Sequence, residues 1–449
     1  VIAVEILSQS ELINATQRTK ALIIISSLFI AFGALYSPHL LGTGVALIIL
    51  LVSLRLYASL ELYAVSKCRA TVSNVFAIEG DVVEVPIVIE NPTSVPIATA
   101  EISVAYSQYL KLVEGVKASL VLIPARGSVK LMLRFKARVG NHVVGPLELA
   151  VRDVFGFFRF DYTLEVIGTI KCVPRASETV VKRLMVFTRT TGLTRSKRAG
   201  YGVELYGVRE YKIGDDVRRI IWKYLASKHK LVVKEMELEA MNRVIFVVDG
   251  TLDTWAGPYG YTPFEYSCRV VASISKYLSK RGDLMGAIIF AENGIYRTPK
   301  LTRSYRRIIE PFAEYKPCVN EIKEGNNRVI ALENAFKHIV SMLPREKSLV
   351  FFLTPNPSYQ YKQILSTIAK KLTALGHEIY IVLPLITTFE IKGMPEWAQA
   401  IYRVKTFSIV KEHIEYAKLL RKLGIKTIVA GAQQVPQMIV SLLEARYGY

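Results

Sequence analysis

The stretch "RVIFVVDGTLDTW", Arg243 to Trp255, decides the fold of the C-terminal half. From Val244 to Val248 it is unbroken apolar sequence, as expected for a strand buried on both faces of a parallel sheet. The run stops at Asp249, and Thr251 and Asp253 follow at i+2 and i+4. Three oxygen side chains at the carboxyl end of a strand are placed to converge on a hard divalent cation. Mg2+ takes about six oxygens in octahedral geometry and usually keeps several waters. Asp249 also has a purely structural use, because Asp accepts backbone N–H groups in turns and at helix starts.

Downstream, the same texture repeats. Strands "LMGAIIFAE", "SLVFFLT", "HEIYIVLP" and "IKTIVA" alternate with helices "PFEYSCRVVASISKYLSKRG", "RVIALENAFKHIVSML", "YKQILSTIAKKLTALG", "IVKEHIEYAKLLRKLG" and "VPQMIVSLLEA". Repeated βα units joined by helical crossovers predict an open, doubly wound α/β sheet over 242–449. Its crevice should lie at the carboxyl ends of the strands. No GxxxxGK[ST] loop, no GxGxxG after the first strand and no GxSxG elbow occur, so P-loop, dinucleotide and serine-hydrolase chemistry have no carrier.

Upstream, residues 70–175 alternate polar and apolar positions, as in "DVVEVPIVIENPTSVPIATAEISVAY", with Pro and Gly breaks. Short strands with regular turn signals predict an all-β, Ig-like sandwich. The first 69 residues hold two apolar runs, about 21–41 and 45–64, around "SPHLLGTG". They predict a transmembrane helical hairpin. Arg18 and Lys20 precede it, Lys67 and Arg69 follow it, and the turn has no Lys or Arg, so both ends and the soluble bulk should be cytoplasmic. The chain has 58 Lys+Arg against 38 Asp+Glu, a net charge of +20, which suits membrane flanks or an anionic partner. The four Cys are far apart with no CxxC pair, which excludes a disulfide-dense fold and a structural zinc knuckle. The basic run from Lys182 to Arg198 reads as a linker or exposed loop. It lacks the interleaved aromatics of a nucleic-acid stacking platform, so nucleic acid is not the expected partner.

The segment 176–241 holds the densest pattern, "REYKIGDDVRRIIWK" from Arg209 to Lys223. Arg209 and Arg218 can pair with Glu210, Asp215 or Asp216 in the bidentate geometry of guanidinium and carboxylate. Gly214 permits the turn, and Trp222 is expected to anchor the strap by apolar burial. Glu204, Arg209, Glu210, Tyr211, Gly214, Asp215, Arg218, Ile220, Trp222, Lys223 and Ala226 match, position by position, a signature that resembles the family catalogued as domain of unknown function 58. Ile213 and Ile221 stand where that family has Pro and Asp. "RVGNHVVGPLELAVRDVFGFFRF" is similar to its β segment, with Val154 and Phe157 in place of Pro and Leu. The resemblance implies a membrane-anchored protein with a von Willebrand factor A-like domain, working with a MoxR-type AAA+ ATPase on client complexes. It also makes Asp249, Thr251 and Asp253 similar to a metal-ion-dependent adhesion site, with Thr298 or Thr302 as the later-loop Thr. After "LVFFLT" the chain reads Thr354, Pro355, Asn356, with no Asp, so such a site would be degenerate. The expectation is a non-enzymatic, membrane-tethered interaction or assembly scaffold. Its rivals are a membrane-associated nucleic-acid binder and a metal-assisted hydrolase on Asp249 and Asp253.

Overall fold

The computed structural model describes residues 13–190, 199–237, 242–257, 259–318, 327–355, 359–385, 396–431 and 434–445. The chain divides into two compact units, Val1–Cys172 and Val173–Tyr449.

The first unit opens with the short strand β1 (Asn14–Ala15), followed by the helices α1 (Gln17–Tyr36) and α2 (Pro38–Lys67). Both helices are long and apolar enough to cross a membrane. The 20 residues of α1 span about 30 Å at 1.5 Å per residue, one hydrocarbon thickness. The turn is tighter than the sequence suggested. Ser37 alone links the helices, and "PHLLGTG" is already helical. The reason is Pro38: a Pro in the first helical turn has its φ preset and needs no N–H acceptor. Thr19, Ser26 and Gly33 on α1 are buried, as are Gly44, Leu51 and Ala58 on α2, each seven residues apart within its helix; the last turns of α2 bury further residues. Mostly small residues at heptad spacing let two helices approach closely without a hydrophobic driving force from lipid. Ile24, Phe32, Leu35, Ile49, Val52 and Leu56 face outward.

Ten further strands complete this unit: β2 (Arg69–Val72), β3 (Val75–Ile78), β4 (Val82–Glu90), β5 (Ile97–Tyr106), β6 (Lys111–Glu114), β7 (Ala118–Ile123), β8 (Ser128–Lys136), β9 (Gly140–Arg152), β10 (Phe158–Leu164) and β11 (Gly168–Val173). They form a seven-stranded sheet, β1-β10-β9-β11-β3 with β5 and β7 joined through β9, and a four-stranded sheet, β2-β4-β8-β6. The alternation read in the sequence is the burial pattern. Val83, Val85, Ile87 and Ile89 of β4 point into a core shared with Ile102, Val104, Leu147 and Leu149 of the other sheet. Both ends of the helical hairpin are fastened to these strands. β1 pairs with β10, and Thr16 donates to the Gly156 carbonyl at 2.9 Å. At the other end Ala58, Leu62, Ala64 and Val65 belong to the β core, and Glu61 accepts the Ala98 N–H at 3.0 Å. The last turns of the 45–64 run therefore pack on protein. A buried carboxylate needs a hydrogen-bond donor, which the strand edge supplies.

The second unit runs α3 (Glu178–Thr190), β12 (Ala199–Glu210), α4 (Trp222–Lys228), β13 (Val232–Glu237), β14 (Arg243–Asp249), α5 (Pro263–Arg281), β15 (Leu284–Ala291), β16 (Gly294–Arg297), α6 (Tyr305–Glu314), α7 (Asn327–Met342), β17 (Leu349–Leu353), α8 (Tyr359–Ala374), β18 (Glu378–Leu385), α9 (Glu396–Lys422), β19 (Lys426–Gly431) and α10 (Val435–Ala445). The sheet order is β16-β15-β14-β17-β18-β19. All neighbours are parallel except the β15–β16 hairpin. The chain leaves β14 for β15 on one side, then crosses to β17 on the other. The topological switch point, where ligands bind in open α/β sheets, therefore lies beyond the carboxyl ends of β14 and β17. One face of the sheet packs on α7, α8 and α9 through Ile245, Val247, Leu332, Leu365 and Leu420.

Two expectations change here. The linker read from Lys182 is helical as far as Thr190, with Val181 and Leu184 buried at i and i+3, and residues 191–198 lie outside the described residues. The helix expected from Ile409 begins at Glu396. Its first turns expose Trp397, Ile401, Val404 and Phe407, so no buried stripe marks them in the sequence.

Candidate functional site

The crevice at the switch point is built around Asp249, the last residue of β14, whose side chain is fully buried. Its Oδ1 accepts the Thr251 N–H at 3.1 Å and the Thr251 hydroxyl at 2.6 Å. Its Oδ2 accepts from Arg328 Nη2 at 2.7 Å and Nε at 3.1 Å, from the Thr354 hydroxyl at 2.9 Å and from the Tyr361 hydroxyl at 3.2 Å. Arg328 sits in the first turn of α7. It also donates to the Pro355 carbonyl at 3.0 Å, and it lies over the Tyr361 ring with Cζ 4.5 Å from the centroid. Burial works against the guanidinium charge, and the Asp249 carboxylate outweighs it, holding Arg328 firmly protonated. Burial, reinforced by the Asp249 charge, raises the Tyr361 phenol well above its ordinary range, so it stays a neutral donor.

The turn after Asp249 is fixed by neighbours. Leu252 N–H donates to Glu292 Oε1 at 2.9 Å, Trp255 Nε1 donates to the Tyr315 hydroxyl at 2.8 Å, and that hydroxyl donates to the Gly250 carbonyl at 2.6 Å. The second Glu292 oxygen is buried with no partner among the described residues. Burial, with smaller contributions from Asp249 and Asp253, raises its pKa.

Of the three residues read as metal ligands, the fold brings Asp249 and Thr251 together. Asp253 is 69 % exposed and lies 3.5 Å from Arg328 Nη1. Thr298 is elsewhere: its hydroxyl bonds to the Ala287 backbone. Thr302 is bridged to Met285 in the sheet. Thr354 is the later-loop hydroxyl that reaches Asp249. Among the described residues no three His, Cys, Asp or Glu side chains gather as a metal-binding group. The donors as arranged do not fit a resident divalent cation. Both Asp249 oxygens are occupied, and the Arg328 guanidinium beside them would repel a dication. Arg328, Tyr361 and Glu292 were not singled out in the sequence. The one signal was Arg328 itself, a cation in a first helical turn, where the macrodipole disfavours positive charge unless something pairs with it.

The strap Arg209–Lys223 connects the two-stranded sheet β12–β13. Arg209 grips Asp215 in bidentate fashion, Nη1 to Oδ2 and Nη2 to Oδ1, each 2.7 Å, and its Nε reaches Glu235 at 2.9 Å. The Arg209 hydrogen bonds, with the Lys212 N–H, hold the Asp215 carboxyl down at about 2. Gly214 has φ 105°, which only Gly adopts without strain. Asp216 accepts the Arg218 N–H at 3.0 Å and so caps the turn. Glu210 faces Lys230 at 3.6 Å, both exposed, and Tyr211 N–H bonds the Leu231 carbonyl. The Glu204 side chain lies outside the described residues. Two expectations are corrected. The Arg218 guanidinium joins no ion pair among the described residues; Asp216 instead accepts the Arg218 backbone N–H. Trp222 is 57 % exposed and anchors nothing, while Ile213 at the tip is fully exposed and Val208 and Val217 are also outward.

The family foreseen from the signature is the one whose model matches: residues 207–380 fit "Protein of unknown function DUF58". Among solved structures the chain is similar to the VWA domain of SpRpn10, at 14 % identity over 43 % of this chain and 89 % of that one, with TM-score 0.27. It is also similar to a non-cellulosomal cohesin from the hyperthermophilic archaeon Archaeoglobus fulgidus, at 18 % identity over 24 % of this chain and 91 % of that one, with TM-score 0.18. No curated protein matches the chain.

Proposed function

We propose that this protein is a membrane-anchored, non-enzymatic docking scaffold whose partner surface is the strap Arg209–Lys223. One observation carries the reading. The strap is braced by the Arg209–Asp215 and Arg209–Glu235 ion pairs, yet it turns Ile213, Val217 and Trp222 to solvent, beside the exposed Val208 of β12. Apolar side chains held outward on a rigid frame lose little entropy on binding, and Trp and Arg are the residues most often dominant in interfaces.

The partner that best suits the family resemblance is a MoxR-type AAA+ ATPase. The basic residues Arg18, Lys20, Lys67 and Arg69 at both ends of the hairpin favour a multi-pass cell-membrane protein with its soluble units in the cytoplasm. The test is titration of the purified full chain, in detergent, against the MoxR-type ATPase of the same genome. Wild type should bind, and Ile213→Asp with Trp222→Ala should weaken binding at least tenfold while the melting temperature holds. Equal affinity for both proteins would remove the strap from the interface, and no binding would remove the ATPase as partner.

A further inference from the structure

We infer that Arg328 is the resident cation of the Asp249 crevice, standing where a divalent metal would bind, so that the Asp249 carboxylate has its counter-charge without metal. The inference concerns the crevice alone and stands whether or not the strap docks a partner.

The argument begins with the direction of the hydrogen bonds. A hydroxyl that ligates a metal offers an oxygen lone pair and keeps its proton for another acceptor. Here the Thr251, Thr354 and Tyr361 hydroxyls all donate to the same carboxylate. With the Thr251 N–H and the two Arg328 donors, Asp249 receives hydrogen bonds at both oxygens and has no face left for an ion. The positive charge that offsets it is likewise buried, the Arg328 side chain being 12 % exposed. Its planar fork is fixed on three sides, by the carboxylate, by the Pro355 carbonyl and by the Tyr361 ring. The third element is location. β14 and β17 end at the switch point, and Asp249 and Thr354 are the polar residues that these two strand ends present. A metal seated there would draw on Asp249, the hydroxyls of Thr251 and Thr354, and waters, a set adequate for Mg2+ with its preference for one or two carboxylates. Arg328 Nη2 contacts both Asp249 and Thr354, at 2.7 and 3.3 Å, and so occupies the point from which an ion would reach them. The positive N-terminus of α7 adds to the field on that point and disfavours a further cation.

The test uses the full chain in detergent, with MgCl2 and MnCl2 as probes, read by calorimetry and by melting followed through Trp fluorescence. Wild type should show no one-to-one binding of either ion, and its melting temperature should be the same in Mn2+ and in EDTA. Arg328→Ala vacates the position, so its melting temperature should fall and then rise by several degrees in Mn2+. The further change Asp249→Asn should abolish that rise. If Arg328→Ala does not fold, Arg328→Gln, which keeps a donor but no charge, carries the same comparison. Stoichiometric binding of either ion to wild type, lost in Asp249→Asn, would overturn the inference. So would a folded, charge-neutral Arg328 variant that is indifferent to Mn2+.

Discussion

Replacing Tyr315 by Phe removes one oxygen from the frame that positions the crevice, and the cost can be worked from the geometry. Tyr315 is fully buried. Its ring lies parallel to Trp255 with centroids 6.2 Å apart, meets Phe264 at 4.6 Å and is edge-on to Tyr296 at 5.4 Å. Phe keeps all of this apolar contact, so the change isolates the hydroxyl. Lost are the acceptor for Trp255 Nε1 and the donor to the Gly250 carbonyl. Each buried group deprived of a partner costs about 1–3 kcal/mol, so a loss of about 2–6 kcal/mol is expected for the two. That is roughly 30- to 20,000-fold in the unfolding equilibrium. The assay is urea unfolding of the full chain followed by Trp fluorescence. All three Trp residues, Trp222, Trp255 and Trp397, lie in the second unit, so the signal reports that unit alone. With a slope of about 3 kcal/mol per molar, the midpoint should fall by about 0.7–2 M. A shift below about 0.2 M with an unchanged slope would show that the Gly250–Trp255 turn does not depend on these bonds, and the account of how the site is held would be wrong.

Three further outcomes are expected. Glu292 has a folded pKa above its unfolded value, so its ionisation opposes folding as pH rises through the folded pKa. Glu292→Gln keeps the acceptor for Leu252 and should stabilise the second unit at pH 8 with no gain below about pH 4; an equal effect at both pH values would contradict the burial argument. Asp215 is the opposite case, held at about 2, so its pairing with Arg209 should be intact above the unfolded value near 4 and fade as pH falls through 2. Carboxyl NMR should place its midpoint near 2 in wild type and higher in Arg209→Ala, short of the unfolded value because the Lys212 N–H remains, and a wild-type midpoint near 4 would break the ion-pair account. In the hairpin, a Cβ on Gly33 would meet the Leu41 backbone N, so Gly33→Val should force the helices apart and lower the yield of folded protein severalfold. Wild-type yield and melting would show that the close approach is not required.

Much of the layout was written in local pattern. The unbroken run Val244–Val248, the alternation in Val82–Glu90 and the apolar runs before Lys67 each carry a periodicity that a single element must satisfy, and each formed the expected element. What eluded that reading were elements without such a face, such as the outward-facing start of α9, and a helix, α3, whose few buried positions sit in a basic stretch. The strap was legible as charge but not as exposure, because Trp222 is apolar in sequence and solvent-facing only in the hairpin that carries it.

The sequence alone determined that Asp249 would end a buried strand at the mouth of a crevice, since hydrophobic periodicity and βα alternation leave few other placements. It could not say what would face that carboxylate. Arg328 is 79 positions away in the chain and Tyr361 is 112 away, and no local rule relates residues so far apart. Only the parallel crossover from β15 through α7 to β17 brings the first turn of α7 and the end of β17 over the end of β14. A buried carboxylate needs hydrogen-bond donors or a counter-charge, and at Asp249 the tertiary structure supplies a guanidinium where the local pattern suggested a metal.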